Sequence, residues 1–152
     1  AGSYKKNIDL SEVVLVKTEQ WGDLGIEDHE EFHTIFEMKF ADYDALPYEK
    51  GVLNLQNSHF EQFPHLKKVH ALTCNTAHGN DISIEKIKKK FGAAIESMEG
   101  ASVAFVAKME NIPLIELRAI SNYVEPRNRN SWKVSEAIVN LNNELLSFLS
   151  KL

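Results

Sequence analysis

The chain has 152 residues, 43% apolar and 26% charged, enough for one soluble globular domain over 1–152 with a sizeable core. A net charge of −5 with scattered lysines and arginines argues against a nucleic-acid groove, and no apolar run reaches the length of a membrane helix. Cys74 is the sole cysteine, so no internal disulfide can form and a reducing cytoplasm is the expected setting.

Ala1 to Lys6 lead into no apolar run, so no signal peptide is expected. Val13-Val14-Leu15-Val16 is a β-branched run and predicts a buried strand. After the loop Trp21-Gly22-Asp23-Leu24-Gly25, Asp28 and Glu31 have the spacing of a capping box, which predicts a helix over 29–38. Gly51 to Leu55 is a weak strand candidate and Lys68 to Thr73 a stronger one. Asn75, Gly79, Asn80 and Asp81 are loop residues, and Ser83 can cap a helix running to Phe91. Ala93 to Ser97 reads as a strand. Glu99 to Met109 is apolar almost all round, which predicts a buried helix whose Gly100, Ala101 and Ala104 allow close approach to a sheet. Pro113 opens a strand over Leu114 to Ile120, and Tyr123 to Asn130 is a polar loop. The last helix runs from about Ser131 to Ser150, with Val134, Ile138, Leu141, Leu145, Phe148 and Leu152 in one stripe. Strands alternating with helices predict an α/β three-layer sandwich around a central twisted mixed sheet.

Two strand ends carry the chemistry. At Ile95-Glu96-Ser97-Met98-Glu99-Gly100 a strand ends in a carboxylate and a small-residue helix begins, the place where open α/β sheets bind ligands. A carboxylate there can accept both hydroxyls of a ribose; it can equally do no more than favour a helix N-terminus. At Leu117-Arg118-Ala119-Ile120-Ser121-Asn122 a second strand ends in an amide that donates and accepts at once, or in an ordinary turn asparagine.

Together, Met98-Glu99-Gly100-Ala101 and Arg118-Ala119-Ile120-Ser121-Asn122, one helix and one strand apart, resemble the paired motifs of the purine nucleosidases of the nucleoside phosphorylase/hydrolase superfamily. The resemblance implies that Met98 packs on the sugar and Glu99 holds the ribose hydroxyls, while Ser121 and Asn122 face the purine. It implies that Gly2 ends a strand-turn approaching the substrate. Thr73 to Gly79 is similar to the strand-loop that stacks on the base, with Ala77 and His78 there and His78 offering main-chain bonds. Asn122 stands where methylthioadenosine/adenosylhomocysteine nucleosidases carry Asp. An amide can donate to a 6-oxo group, whereas mismatching a buried hydrogen-bonding edge costs about 1–3 kcal/mol. A 6-oxopurine is therefore favoured over adenine.

Tyr123-Val124-Glu125-Pro126-Arg127-Asn128-Arg129, Trp132-Lys133 and Trp21 to Asp28 are similar to the futalosine hydrolase family. That family releases hypoxanthine from a benzoate-bearing nucleoside in a route to menaquinone, and Arg127 or Arg129 could pair with the benzoate. The implied reaction passes through an oxocarbenium-like sugar, with Asn122 stabilising charge moving into the purine. The implied partner is a small purine nucleoside and the implied assembly a homodimer or higher homo-oligomer, with no cofactor and no metal. In the family the water-activating carboxylate lies near the N-terminus, and neither Glu12 nor Glu19 carries its local motif. This chain is thus expected to match the C-terminal two-thirds of such a domain and alone to hydrolyse little. An adenine-type nucleosidase, a purine nucleoside phosphorylase and a non-catalytic nucleoside-binding module stay open.

His29-Glu30-Glu31-Phe32-His33 also matches the zinc-protease pattern H-E-x-x-H on the predicted helix, with Glu49 as an unremarkable third ligand. A solvated helix face accounts for it as well. Cys74, at a core strand end, reads as a small buried hydrophobe rather than a nucleophile.

Overall fold

Val14, Leu15 and Val16 are all fully buried, although successive strand side chains point to opposite faces. Both faces of the sheet are covered at that strand, as in mixed α/β folds. The structure is a computed structural model describing residues 1–150.

In chain order the strands are β1 (Gly2–Ser3), β2 (Val13–Trp21), β3 (Gly25–Asp28), β4 (Glu31–Thr34), β5 (Leu53–Asn54), β6 (Lys67–Thr73), β7 (Ile95–Ser97), β8 (Leu117–Ala119) and β9 (Asn122–Tyr123). The helices are α1 (Asp81–Phe91), α2 (Gly100–Met109) and α3 (Val134–Leu149). The central sheet runs β5-β2-β6-β7-β1-β9, with β8 also on β2. Parallel pairings β2–β6 and β6–β7 combine with antiparallel β2–β5, β2–β8 and β1–β7. The architecture is therefore a mixed α/β fold with flanking helices.

Only Ile120 and Ser121 separate β8, on β2, from β9, on β1. The sheet must curl until its two ends approach. Ile120 bonds main chain to main chain with Ser11 and Glu12, and Ser121 N–H donates to Ala1 O at 2.9 Å. Beneath this curl lies a core that includes Leu15, Leu53, Phe63, Ile95 and Ile120.

Several elements differ from the sequence reading. The expected helix over 29–38 is instead the hairpin β3–β4, register Gly25↔Thr34 to Asp28↔Glu31. His29 takes the left-handed φ of 55° at its turn. Phe32 meets Phe91 of α1, and Lys90 of α1 reaches Glu37, so tertiary contacts override the local capping pattern. Asp81 opens α1 rather than lying in the loop, because Asn80 and not Ser83 is the cap: Asn80 Oδ1 accepts from Ser83 N–H at 2.9 Å. Helix α2 is buried on one side only. Gly100, Ala101, Ala104 and Ala107 face the sheet while Val103 and Val106 are exposed. The strand expected over Leu114 to Ile120 shrinks to β8, because β5 occupies the next stretch of the same β2 edge. In α3 only Ala137 is buried. Phe148 packs on Phe63 with ring centroids 5.0 Å apart, whereas Val134, Ile138 and Leu145 are exposed and Leu152 lies outside the described residues. Among the described residues no helix is long and apolar enough to cross a membrane.

Leu15→Ala should lower unfolding free energy by about 2–5 kcal/mol in urea titration. Ile82→Ala, at a side chain 74% exposed on α1, should stay within about 0.5 kcal/mol.

Candidate functional site

The carboxyl end of β7, the N-terminus of α2, β1, the β6–α1 loop and the β8–β9 segment surround one open cleft of about 860 Å³ including its mouth. Gly2, Ala77, His78, Met98, Glu99, Ser121, Asn122 and Arg127 all line it. Arg129 does not. It lies in the short 3-10 turn Arg129–Ser131 and is exposed. Arg127, two residues earlier, stands over the Trp132 ring at 5.6 Å, and both face the cleft.

Register explains the convergence. Gly2 pairs with Glu96 of β7 on one side and with Asn122 of β9 on the other. A Cβ on Gly2 would come within 2.9 Å of Val124 Cγ2 and 3.3 Å of Asn122 Nδ2, so the strand packs tightly on the amide. Asn122 Oδ1 accepts from Ser121 Oγ at 2.8 Å and Nδ2 donates to Tyr123 O at 3.0 Å. One N–H and one lone pair of the amide stay free. Glu99 is the N-cap residue of α2 but makes no side-chain cap bond, which leaves its carboxylate to face the cleft.

Behind Glu99 lies a charged set that the sequence did not single out. Arg118 Nη1 stands 3.5 Å from Glu99 Oε2, and Arg118 Nε donates to Glu116 Oε1 at 2.7 Å. Glu116 and the buried Glu19 both direct a carboxyl oxygen at Gly100. Burial and the Glu116 charge push the Glu19 carboxyl up to about 8.

A second buried carboxylate organises the loop after β6. Glu96 accepts from His78 N–H at 3.1 Å, faces His78 Nδ1 at 2.8 Å and accepts from the Tyr4 hydroxyl. The His78 main-chain N–H, expected to reach a base, is thus engaged with Glu96. Burial and then Glu96 raise the Tyr4 phenol far above its usual range. A charged residue within the expected strand Ala93 to Ser97 was the available signal for Glu96. Tyr4 and Trp132 carried none.

Cys74, His78 and Glu96 place ligand-type atoms within 4.8 Å of one another. The oxygens of Glu96 are already taken by Tyr4 and His78, and burial raises the Cys74 thiol well above its usual range. Hydrogen bonding accounts for this cluster without an ion. The H-E-x-x-H match fares differently from its sequence reading. His29 sits at a hairpin turn and His33 on β4, so the one-sided helical spacing that pattern requires is lost.

The profile of the phosphorylase superfamily matches residues 1–150. The chain belongs to the phosphorylase superfamily. Within it, the chain is similar to the futalosine hydrolase of Streptomyces coelicolor, 39% identical over 71 residues, which is 46% of this chain and 30% of that protein. It is also similar to that of Thermus thermophilus, 26% identical over 141 residues, 91% of this chain and 61% of that protein. The native structure of Helicobacter pylori futalosine hydrolase superposes with a TM-score of 0.74 at 21% identity, over 100% of this chain and 65% of that one. The Streptococcus pneumoniae methylthioadenosine/adenosylhomocysteine nucleosidase, solved with a transition-state inhibitor, gives 0.75 at 18% identity, over 98% and 65%. At these identities the superpositions establish the shared fold. The chain spans from under a third to about two thirds of these relatives' length.

Glu96→Ala should destabilise the fold by about 1–3 kcal/mol by orphaning the buried Tyr4 and His78 groups. Hydrogen exchange at the His78 amide should speed up selectively.

Proposed function

We propose that the cleft binds a 6-oxopurine nucleoside and that the protein hydrolyses its N-glycosidic bond, with futalosine the foremost substrate. The observation that carries this reading is the presence of Glu99 and Asn122, from two strand ends, on one cleft. The similarity to futalosine hydrolases supports the substrate.

Glu99 accepts the ribose hydroxyls, with Met98 against the sugar. Asn122 keeps one N–H and one lone pair for the base, enough to donate to a 6-oxo group and to accept from a ring N–H as charge enters the leaving purine. Ser121 fixes that amide, and Gly2 lets it approach. The resemblance puts the water-activating carboxylate in the part of the relatives that this chain does not match. Arg127, stacked near Trp132 in the cleft, suits an aromatic carboxylate; Arg129 is dropped from that role.

The same reading carries the wider context: a step towards menaquinone, a cytoplasmic setting supported by a single free cysteine, and a homo-oligomer supported by the exposed apolar rows of α2 and α3.

The test is release of free base from a panel of purine nucleosides by the full-length protein, with and without phosphate. Phosphate-independent release of hypoxanthine supports the proposal; phosphate dependence, or preference for adenine nucleosides, overturns it. Glu99→Gln should lower kcat/KM by about 10- to 100-fold. Arg127→Met should raise KM for futalosine by about fivefold while leaving inosine unaffected, as a part-exposed ion pair allows.

A further inference from the structure

We propose that the buried carboxyl groups Glu19 and Glu116 share one proton and together hold the Arg118 guanidinium against Glu99, acting as positioning residues beneath the cleft. The consequence for turnover rests on the nucleosidase reading above; the proton sharing does not.

The accounting of buried polar atoms leads here. Glu19 lies in the middle of β2, flanked by Leu53 of β5 and Ala71 of β6, and is fully buried. Its Oε2 accepts from Thr73 Oγ1 at 3.0 Å, and its Oε1 has no donor. Glu116 is nearly as buried. Its Oε1 accepts from Arg118 Nε, and its Oε2 has no donor. The two carboxyl groups converge on one spot, with Glu19 Oε1 2.1 Å and Glu116 Oε1 2.6 Å from where a Cβ on Gly100 would stand. If both were ionised, two like charges would face each other out of water, each with an orphaned oxygen. One proton on one carboxyl supplies the missing donor and removes the repulsion together.

The surroundings decide where that proton resides. Glu116 faces the Arg118 cation directly. Glu19 faces the Thr73 hydroxyl from β6, with the neutral Cys74 thiol and the more distant Arg118 beyond. Glu19 therefore carries the proton, in keeping with the upward push on its carboxyl. Glu99 acts on Arg118 from the cleft side.

The first residue of α2 accordingly has no side chain where the pair sits. Thr73 ties the pair to that helix: its Oγ1 accepts from Ala101 N–H at 2.7 Å while donating to Glu19. A neutral Glu19 leaves Glu116 and Arg118 as a balanced pair, and the Nη1 of Arg118 projects towards Glu99 at 3.5 Å.

The sign of the pH dependence follows from a carboxyl whose folded value lies above its unfolded one. Its stabilising neutral state is fully present below the unfolded value and is lost as pH rises through about 8. Glu19→Gln, permanently neutral, can accept from Thr73 and donate an N–H to Glu116. Wild type should lose stability relative to Glu19→Gln across that rise. Wild type at neutral pH should also show an infrared band of a protonated carboxylic acid that Glu19→Gln lacks. In Glu116→Gln the Arg118 Nε–H should exchange about 10- to 100-fold faster, reporting the lost anchor. These readings need no substrate. Turnover should fall in Glu19→Ala and recover in Glu19→Gln. Parallel pH–stability curves for wild type and Glu19→Gln, or no protonated-carboxyl band, or an unchanged Arg118 Nε–H, would overturn the proposal. Failure of every nucleoside as a substrate of the full-length protein would overturn the nucleosidase reading and leave these three measurements deciding this one.

Discussion

The segment from Leu117 to Tyr123 is the constraint on which the site depends. It pairs with β2 at one end and with β1 at the other, leaving two residues for the crossing. A flat sheet could not accept it, because those partners would stand several strand spacings apart. The sheet therefore curls, and the curl carries Asn122 round to the cleft that Glu99 faces. The main-chain bonds of Ile120 and Ser121 close the seam at low conformational cost, since the chain between the two strands has little freedom to lose.

The polar groups below the cleft follow from that closure. Pairing β8 antiparallel to β2 sets Glu116 opposite Val16, its carboxyl and that of Glu19 both lie against Gly100 at the start of α2, and Thr73 lies on the neighbouring strand. The N-cap residue Glu99 makes no side-chain cap bond, and the first N–H groups of α2 are met from elsewhere: Gly100 N–H donates to Ser97 Oγ and Ala101 N–H to Thr73 Oγ1. Hydrogen bonds run from the helix start through Thr73 to Glu19, and from Glu116 to Arg118, whose guanidinium forms an ion pair with Glu99 at the same helix start; the proton proposed on Glu19 would join the two halves. Such a network orients a functional carboxylate only if each member is satisfied, and that is why the protonation of Glu19 matters.

Much of this was legible in the sequence where the signal was local. Val13 to Val16 announced its strand through a β-branched run, Lys68 to Thr73 was the stronger of the next two strand candidates, and the start of α2 was visible in its small residues. The convergence of Glu99 and Asn122 could be anticipated from the resemblance of their paired motifs to those of the purine nucleosidases. What failed was decided by distant partners. The β3–β4 hairpin exists because Phe32 and Glu37 meet α1, which no capping pattern reveals. The Glu19–Glu116 pair and the Tyr4–Glu96–His78 cluster depend on strand register between distant segments. Arg127 and Arg129 look alike in sequence, and only the short 3-10 turn separates the one in the cleft from the one in solvent.

The central claim is that one nucleoside is gripped at its sugar by Glu99 and at its base by Asn122. Calorimetric titration with the two halves of the ligand addresses it most directly. Hypoxanthine should bind wild type and Glu99→Gln alike and Asn122→Ala weakly, while an iminoribitol mimic of the sugar cation should show the reverse pattern. Hypoxanthine affinity that is indifferent to the loss of the Asn122 amide would contradict the account.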